Sequence, residues 1–362
     1  MLEFRNLKKS EREMAVNLAD ITFRDSEQIS MGKAFPYIFN EGHLAQSFGA
    51  FDNGVLVSFM GLVPFNIQLG PAILHSYSLG SVCTKKEYMG KGIATELLKR
   101  VYQYIEMTYA SILLISGTRS LYTRNGCYTF GNSKRFIVNS EKVLKNTSYE
   151  IREMIPADLI NMSNLETQKT STFKKSVTDL ATLLNAEAYA SCLKLSHRVL
   201  VAMKNDCLKG FVVIGLPYHS GIAKKPLLVE SAGAPEVILE LITYSLSFYK
   251  IEEIEVPVLI HEKDLIQLLS SFESMDEKNQ GTIKIINEKK LSEQLSPYFK
   301  NHFSLTRTNG DQIEVTVDEK QERMTEAQLI SFLFDDNPSE LRRHLTTILP
   351  LPFPYTVGLH YV

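Results

Sequence analysis

The chain has 362 residues, 44% hydrophobic and 22% charged, a globular composition long enough for two or three cores. Its net charge of −2, with no block of five basic residues, excludes nucleic-acid binding by general electrostatic attraction. The first nine residues lack a signal-peptide apolar core, and the most apolar runs (111–116 and 211–216) fall far short of a membrane span. The sequence therefore reads as cytoplasmic, with no membrane and no nucleic-acid partner. Cys83, Cys127, Cys192 and Cys207 lie far apart without a Cys-x-x-Cys pair, so neither a disulfide framework nor structural zinc is expected.

A strand over 2–7 and a helix over 10–23 open the chain, followed by a polar stretch to about His43. Strands over 48–51 and 55–63 flank Asp52-Asn53-Gly54; Asn-Gly between apolar runs signals a tight hairpin because both turn residues take positive φ. A second hairpin joins 65–69 to 73–84 through Gly70-Pro71, giving an antiparallel meander of about three strands. From Gly92 onward Ile93, Leu97, Leu98, Val101, Tyr104 and Ile105 recur at spacings of three and four, one face of a helix. A short buried strand over 111–116 follows, then a short helix over 120–124 stopped by Asn125-Gly126, then a strand or two over 128–138.

Residues 139–150 are polar and read as a linker. Helical sequence over 156–195 precedes strands over 199–204 and 208–216. Strand 226–231, the turn Gly233-Ala234-Pro235, helix 236–249 and strand 253–259 then repeat the order found around Gly92, a weak internal repeat. From Ile283 the pattern changes to a helix over 291–299, a hairpin through Asn309-Gly310, a helix over 325–334, and a tail that Pro350, Pro352 and Pro354 keep extended.

The segment carrying chemistry is Val82-Cys83-Thr84, then Lys85 to Tyr88, then Met89-Gly90-Lys91-Gly92-Ile93-Ala94-Thr95. A strand ends, a glycine loop turns and an amphipathic helix begins. Unpaired N–H groups at such a helix start, with the helix dipole behind them, suit a phosphate, and Lys91 adds positive charge. A P-loop is excluded, since no Gly-x-x-x-x-Gly-Lys-Ser/Thr occurs. A dinucleotide fingerprint fails twice: Thr95 stands where the third glycine belongs, and no acidic residue lies about 20 positions on. A plain strand-to-helix turn is the remaining rival.

The meander, this loop, and the later segment Leu121-Tyr122-Thr123-Arg124-Asn125-Gly126-Cys127 together resemble the GCN5-related N-acetyltransferase superfamily. Its pyrophosphate loop, Arg/Gln-x-x-Gly-x-Gly/Ala, matches Met89 to Ala94 except at Met89. Its Tyr-x-x-x-Gly-Phe element matches Tyr122 to Gly126, with Cys127 in place of Phe. The resemblance implies acetyl-CoA as cosubstrate and no metal. The pantetheine arm would pair with the backbone of Val82, Cys83 and Thr84, and the pyrophosphate would sit on the loop and helix start. Tyr122 would protonate the departing thiolate; a half-buried aromatic anchor is the alternative for that residue.

The wider layout resembles the Eis-type acetyltransferases, associated with enhanced intracellular survival and acting on amines such as aminoglycosides. It implies an α+β, multi-domain chain with a mostly antiparallel sheet flanked by helices. A catalytic domain over 1–145 would be followed by a degenerate counterpart over 146–280 and a small sterol-carrier-like α+β domain over 281–362. In the second, Pro235 removes a backbone donor and no Gly-x-Gly appears, so no cofactor is expected there. Relatives of this type bring a C-terminal carboxylate to the active site as base, a role that would fall to Val362, and they assemble, which makes a homo-oligomer possible.

Asp25, Glu27, Glu41 and His43 lie in the segment that borders the acceptor site in the superfamily; acidic groups there would attract a cationic small-molecule or peptide amine, while a solvated loop is the plainer account. Asp335, Asp336 and Glu340 read as an exposed acidic helix end, and the histidines show no ligand spacing. A non-catalytic acyl-CoA-binding sensor or scaffold is the main rival, kept by Met89 and Cys127. An aminoacyl transferase of paired acetyltransferase folds is a further one, disfavoured by the absence of a basic patch.

Overall fold

The computed structural model describes residues 2–140, 148–219, 224–308, 310, 312–336, 339–345 and 348–362. Most of the expected linker over 139–150, Asn309 of the expected hairpin, Asn337 and Pro338 of the turn after the 325–334 helix, and the His344 side chain lie outside the described residues. Two compact units emerge, one formed by 1–131, 280–356 and 362, the other by 132–279 and 357–361. No helix among the described residues is long and apolar enough to cross a membrane.

In the first unit, β1 (Leu2–Asn6), β2 (Phe48–Asp52), β3 (Val55–Leu69) and β4 (Ala72–Thr84) pair antiparallel in sequence order. The turn between β2 and β3 holds Asn53 at φ 49° and Gly54 at φ 80°, the left-handed pair that Asn-Gly favours. β3 runs unbroken through Pro64, where two strands were expected. β2 reaches only Val55 to Met60, so the missing N–H of Pro64 costs no β2–β3 hydrogen bond.

β5 (Ile112–Ile115) pairs parallel with β4, a connection that needs a crossover, and the helix Ile93–Glu106 supplies it. That helix buries Ile93, Leu97, Leu98, Val101 and Ile105 against Ala50, Met60, Leu62, Leu79 and Leu113. Each such side chain contributes on the order of 1.5–3 kcal/mol on leaving water. The strand Thr282–Ile285 then pairs antiparallel with β5. Gln294, buried on the helix Glu288–Leu295, accepts from the His75 N–H (3.0 Å) and the Ser111 hydroxyl (2.7 Å) and donates to the Tyr109 carbonyl (2.8 Å). The rest of this segment forms a three-stranded sheet, Phe303–Arg307, Gln312–Val317 and Lys320–Thr325, followed by the helix Glu326–Phe334.

The polar stretch before β2 contains three one-turn helices, Met31–Ala34, Pro36–Phe39 and Glu41–Leu44. Ser30 and Asn40 cap the first and third by accepting from the Gly32 and Gly42 N–H groups, and Pro36 opens the second. At the acidic end near residue 335, Asp336 and Glu340 are exposed as expected, but Asp335 is buried, and the Arg342 guanidinium folds back onto the Asp335 and Phe332 carbonyls and the Asp336 carboxylate.

The second unit is built on a sheet in the order Glu273–Lys278, Asn132–Asn139, Glu253–Leu259, Leu227–Gly233, Cys207–Pro217, Leu195–Lys204, Glu150–Glu153. The helix Pro235–Phe248 packs Val237, Ile238, Leu241, Ile242 and Leu246 onto it. As in the first unit, the strands before and after this helix meet in parallel, at Leu227 and Glu255. The expected single helical stretch over 156–195 is instead three helices, Leu159–Glu166, Val177–Ala186 and Ala188–Cys192, interrupted by the strand Ser171–Phe173. Ser176 breaks the run by capping the second of these, and Glu187 ends it in the left-handed region at φ 54°.

Candidate active site

The phosphate-binding candidate forms because two glycines let the chain double back onto a helix. Gly90 and Gly92 both sit at φ 75°, a conformation costly for any residue with a Cβ. Beyond them the space is open: a Cβ built at either residue meets nothing within 4 Å. The first intrahelical bond runs from the Glu96 N–H to the Gly92 carbonyl (3.0 Å), which leaves the Ile93, Ala94 and Thr95 N–H groups without intrahelical acceptors. Lys91 is exposed with its Nζ 4.9 Å from the Tyr88 ring centroid, and Tyr88 is anchored by its hydroxyl on the Asp52 carboxylate (2.8 Å). Met89, exposed, brings no charge. An open cradle of amides with a cation beside it fits a pyrophosphate.

β4 supplies the second element. Its parallel pairing with β5 covers only Ser76 to Leu79, closed by the Ser116 N–H on the Leu79 carbonyl (3.3 Å), while β4 itself continues to Thr84. Residues 80–84 therefore run on past the end of β5. A bulge sits there: the register with β3 shifts between Gly80 and Cys83, and Ser81 takes φ 50°. The geometry suits an extended ligand that takes β5's place along the strand. Cys83 itself turns inward; burial pushes its thiol up to about 12, so its backbone and not its sulfur is what a ligand would meet.

Tyr122 is the third element. The one-turn helix Ser120–Thr123 ends with Gly126 at φ 78°, and the Cys127 N–H returns to the Tyr122 carbonyl (3.2 Å), a left-handed cap that closes the turn beneath the ring. Tyr122 is only 5% exposed and packs in the same cluster as Leu79, Ile93 and Ile115, with Val82 against it. Burial pushes its hydroxyl up to about 12, so it carries its proton throughout the neutral range. Val82, the cradle helix and Tyr122 thus belong to one packed group.

Gly80 and the bulge went unremarked in the sequence, although a lone glycine inside a strand signals a bulge or a close backbone approach. Here the approach is by Val362: a Cβ on residue 80 would stand 2.3 Å from the Val362 carbonyl carbon. Val362 is buried. The acceptor candidates are more scattered. Asp25 and Glu27 lie on the exposed turn after the helix Arg12–Phe23, and Glu41 is exposed in the first turn of Glu41–Leu44. Thr22, near the end of that first helix and donating its hydroxyl to the Leu18 carbonyl, lies beside Cys83, which brings the turn to the β4 end of the site. His43 hydrogen-bonds the Tyr37 carbonyl through Nδ1 (3.3 Å). Among the described residues no group of three or more His, Cys, Asp and Glu side chains is arranged to hold a metal ion.

Residues 3–130 match the family model of the acetyltransferase (GNAT) domain. By sequence no curated protein matches the chain significantly. Solved structures match over nearly the whole length. A GCN5-related N-acetyltransferase from Anabaena variabilis is 14% identical at TM-score 0.67, covering 99% of this chain and 95% of its own. One from Kribbella flavida is 14% identical at TM-score 0.69, covering 100% and 98%. Eis1 from Mycobacterium abscessus is 12% identical at TM-score 0.63, covering 95% and 92%. The glycine cradle and the divergence of β4 from β5 both lie inside the matched segment, so residues 3–130 form an acetyltransferase (GNAT) domain, and the chain shares its fold with these GCN5-related N-acetyltransferases and with Eis1.

Proposed function

We propose that the protein moves the acetyl group of acetyl-CoA to an amine by direct attack, with Tyr122 as general acid. The observation that carries this is the packing of Tyr122 in one cluster with Val82 of the overhanging β4 and Ile93 of the amide cradle. The cradle from Gly90 to Thr95 would hold the pyrophosphate, chiefly through backbone N–H groups, with Lys91 replacing the charge that Met89 lacks. Val82, Cys83 and Thr84 would pair with the pantetheine amides. The amine nitrogen attacks the thioester carbon, the C–N bond forms and the C–S bond breaks. Tyr122 passes its proton to the leaving sulfur and regains one from solvent; burial keeps the hydroxyl protonated, so the proton is available at neutral pH.

The attacking amine must also shed a proton. The Val362 carboxylate that the resemblance implies as base, with its carbon against Gly80, would receive it. Asp25, Glu27 and Glu41 would draw a cationic small-molecule or peptide amine toward that side. Within the division proposed from the sequence, 1–145 carries this site. Its counterpart over 146–280 has Pro235 as the first residue of the corresponding helix, one backbone donor fewer than the Gly92 helix offers.

Thermal unfolding with acetyl-CoA, CoA, NAD or ATP in large excess tests the cofactor. A ligand at 100 times its Kd adds about 2.7 kcal/mol of stability. A rise with both coenzymes and with neither nucleotide leads on to a screen of amines for thiol release. If neither coenzyme raises the melting temperature, the loop is a structural turn and the reading fails.

A further inference from the structure

The segment that carries Tyr122 is held from beneath by side chains that belong to no part of the site above. Tyr102 lies on the helix Ile93–Glu106, whose first turn forms the amide cradle. Its hydroxyl is 3.2 Å from the Asn125 carbonyl and 3.1 Å from the Cys127 sulfur. A phenol has one proton to give, so donation to the carbonyl leaves its oxygen to accept from the thiol. Both partners lie in the turn that closes on Tyr122, because the Asn125 and Cys127 N–H groups both return to the Tyr122 carbonyl (2.9 and 3.2 Å).

A second support comes from the strand Thr282–Ile285. Lys284 directs its Nζ to the Gly126 carbonyl (3.4 Å), lies 5.3 Å from the Tyr102 ring centroid, and pairs with Glu326 (3.4 Å). Glu326 in turn accepts from the Ile285 N–H (3.3 Å), so the cation is itself held in place. Three consecutive groups of the turn, the Asn125 carbonyl, the Gly126 carbonyl and the Cys127 thiol, are thereby fixed by Tyr102 and Lys284. The superfamily motif has Phe where this chain has Cys127. A thiol beside a phenol replaces ring packing with a hydrogen bond, and the small side chain leaves room for it.

We propose that Tyr102 is a positioning residue, which through Cys127 and Asn125 fixes Tyr122 at a set distance from the phosphate cradle borne by the same helix. The proposal rests on the reading of Tyr122 as the acid. Since a phosphate seated on the first turn and an acid tied to the third turn share one rigid rod, the leaving sulfur and its proton donor would keep register without a contact between them.

The test uses the full-length protein with Tyr102→Phe, Cys127→Ser and Cys127→Ala, read by amide hydrogen exchange and by steady-state kinetics with acetyl-CoA. Tyr102→Phe is expected to speed exchange at Asn125 and Cys127 at least tenfold while leaving β4 and the middle of the cradle helix unchanged. It should lower kcat about tenfold with KM for acetyl-CoA held within twofold. Cys127→Ser keeps a hydrogen-bonding atom and should stay within threefold of the parent kcat, whereas Cys127→Ala should fall toward Tyr102→Phe. Unchanged exchange at 125–127, or faster exchange with an unaltered kcat, overturns the proposal. If the parent protein neither binds CoA nor turns it over, the acetyl-transfer reading fails on its own, and the exchange data still decide whether Tyr102 clamps the turn.

Discussion

The carbonyl carbon of Val362 lies 2.3 Å, and its oxygen 2.5 Å, from the point where a Cβ on Gly80 would stand. Glycine is therefore required at this place on β4 by the close approach of another backbone. Gly80→Ala must push either the bulge or the buried Val362 aside, an overpacking that costs about 1–3 kcal/mol. Urea unfolding is expected to show that loss, and the acetylation rate is expected to drop with it. A Gly80→Ala protein with parental midpoint and parental rate would mean that Val362 moves freely and has no part in the site.

Removing the Tyr122 hydroxyl separates chemistry from binding. Tyr122→Phe keeps the ring buried in one cluster with Leu79 and Ile93, so CoA affinity and melting temperature should hold, while kcat falls about 100-fold or more, as for loss of a general acid. The raised hydroxyl also sets the pH profile. Burial puts the group at about 12, so its acid form persists to the alkaline end of any practical assay. Rate should climb as the acceptor amine deprotonates and show no descending limb below about pH 10 from Tyr122. A kcat for Tyr122→Phe equal to the parent's would remove the acid role.

At the cradle, Gly92→Ala meets open space but an unfavourable backbone. The left-handed conformation costs a residue with a Cβ about 1–2 kcal/mol, so the helix start should relax or strain by that amount. The expected readout is a KM for acetyl-CoA raised several-fold with kcat changed little, measured beside calorimetric CoA binding. Equal affinity in Gly92→Ala and parent would show that the first-turn amides do not hold the phosphates.

The second unit carries a buried ion cluster whose disruption should appear in stability. Glu166, 3% exposed, receives Lys175 (2.5 Å) and Lys169 (2.7 Å), and Lys169 also reaches Glu230 (2.7 Å). Burial alone would raise the Glu166 carboxyl, but the two ammonium groups outweigh it and hold it below the usual range. A depressed carboxyl stabilises the fold above its unfolded pKa, about 4.3, and that contribution drains away as pH falls further toward the native value. Lys175→Met leaves a buried charge short of a partner and should cost about 3–5 kcal/mol at pH 7, less at pH 4. Urea titrations at both pH values check this; equal losses at the two would show that Glu166 is not the group involved.

Local sequence signals determined a good part of the molecule. Asn53-Gly54 announced its turn because few residues accept that backbone; the spacing from Ile93 to Ile105 announced its helix because one face had to be buried. The glycine loop at 90–92 and Tyr122 to Gly126 were legible as motifs, since each depends on residues a few positions apart. The break of the 156–195 stretch lies just before Ser176 and Asp179, whose capping box is a local helix-start signal that apolar spacing alone does not show. The bulge at Ser81 is a register shift that belongs to two strands at once, and Gly80 signals it only as a glycine inside a strand. The meeting of Val362 with Gly80, and of Tyr102 with Cys127, joins residues 282 and 25 positions apart, and a sequence carries no distance between them. Short-range backbone chemistry wrote the pieces of the site; the packing of the helix Ile93–Glu106 across the sheet decided where they met.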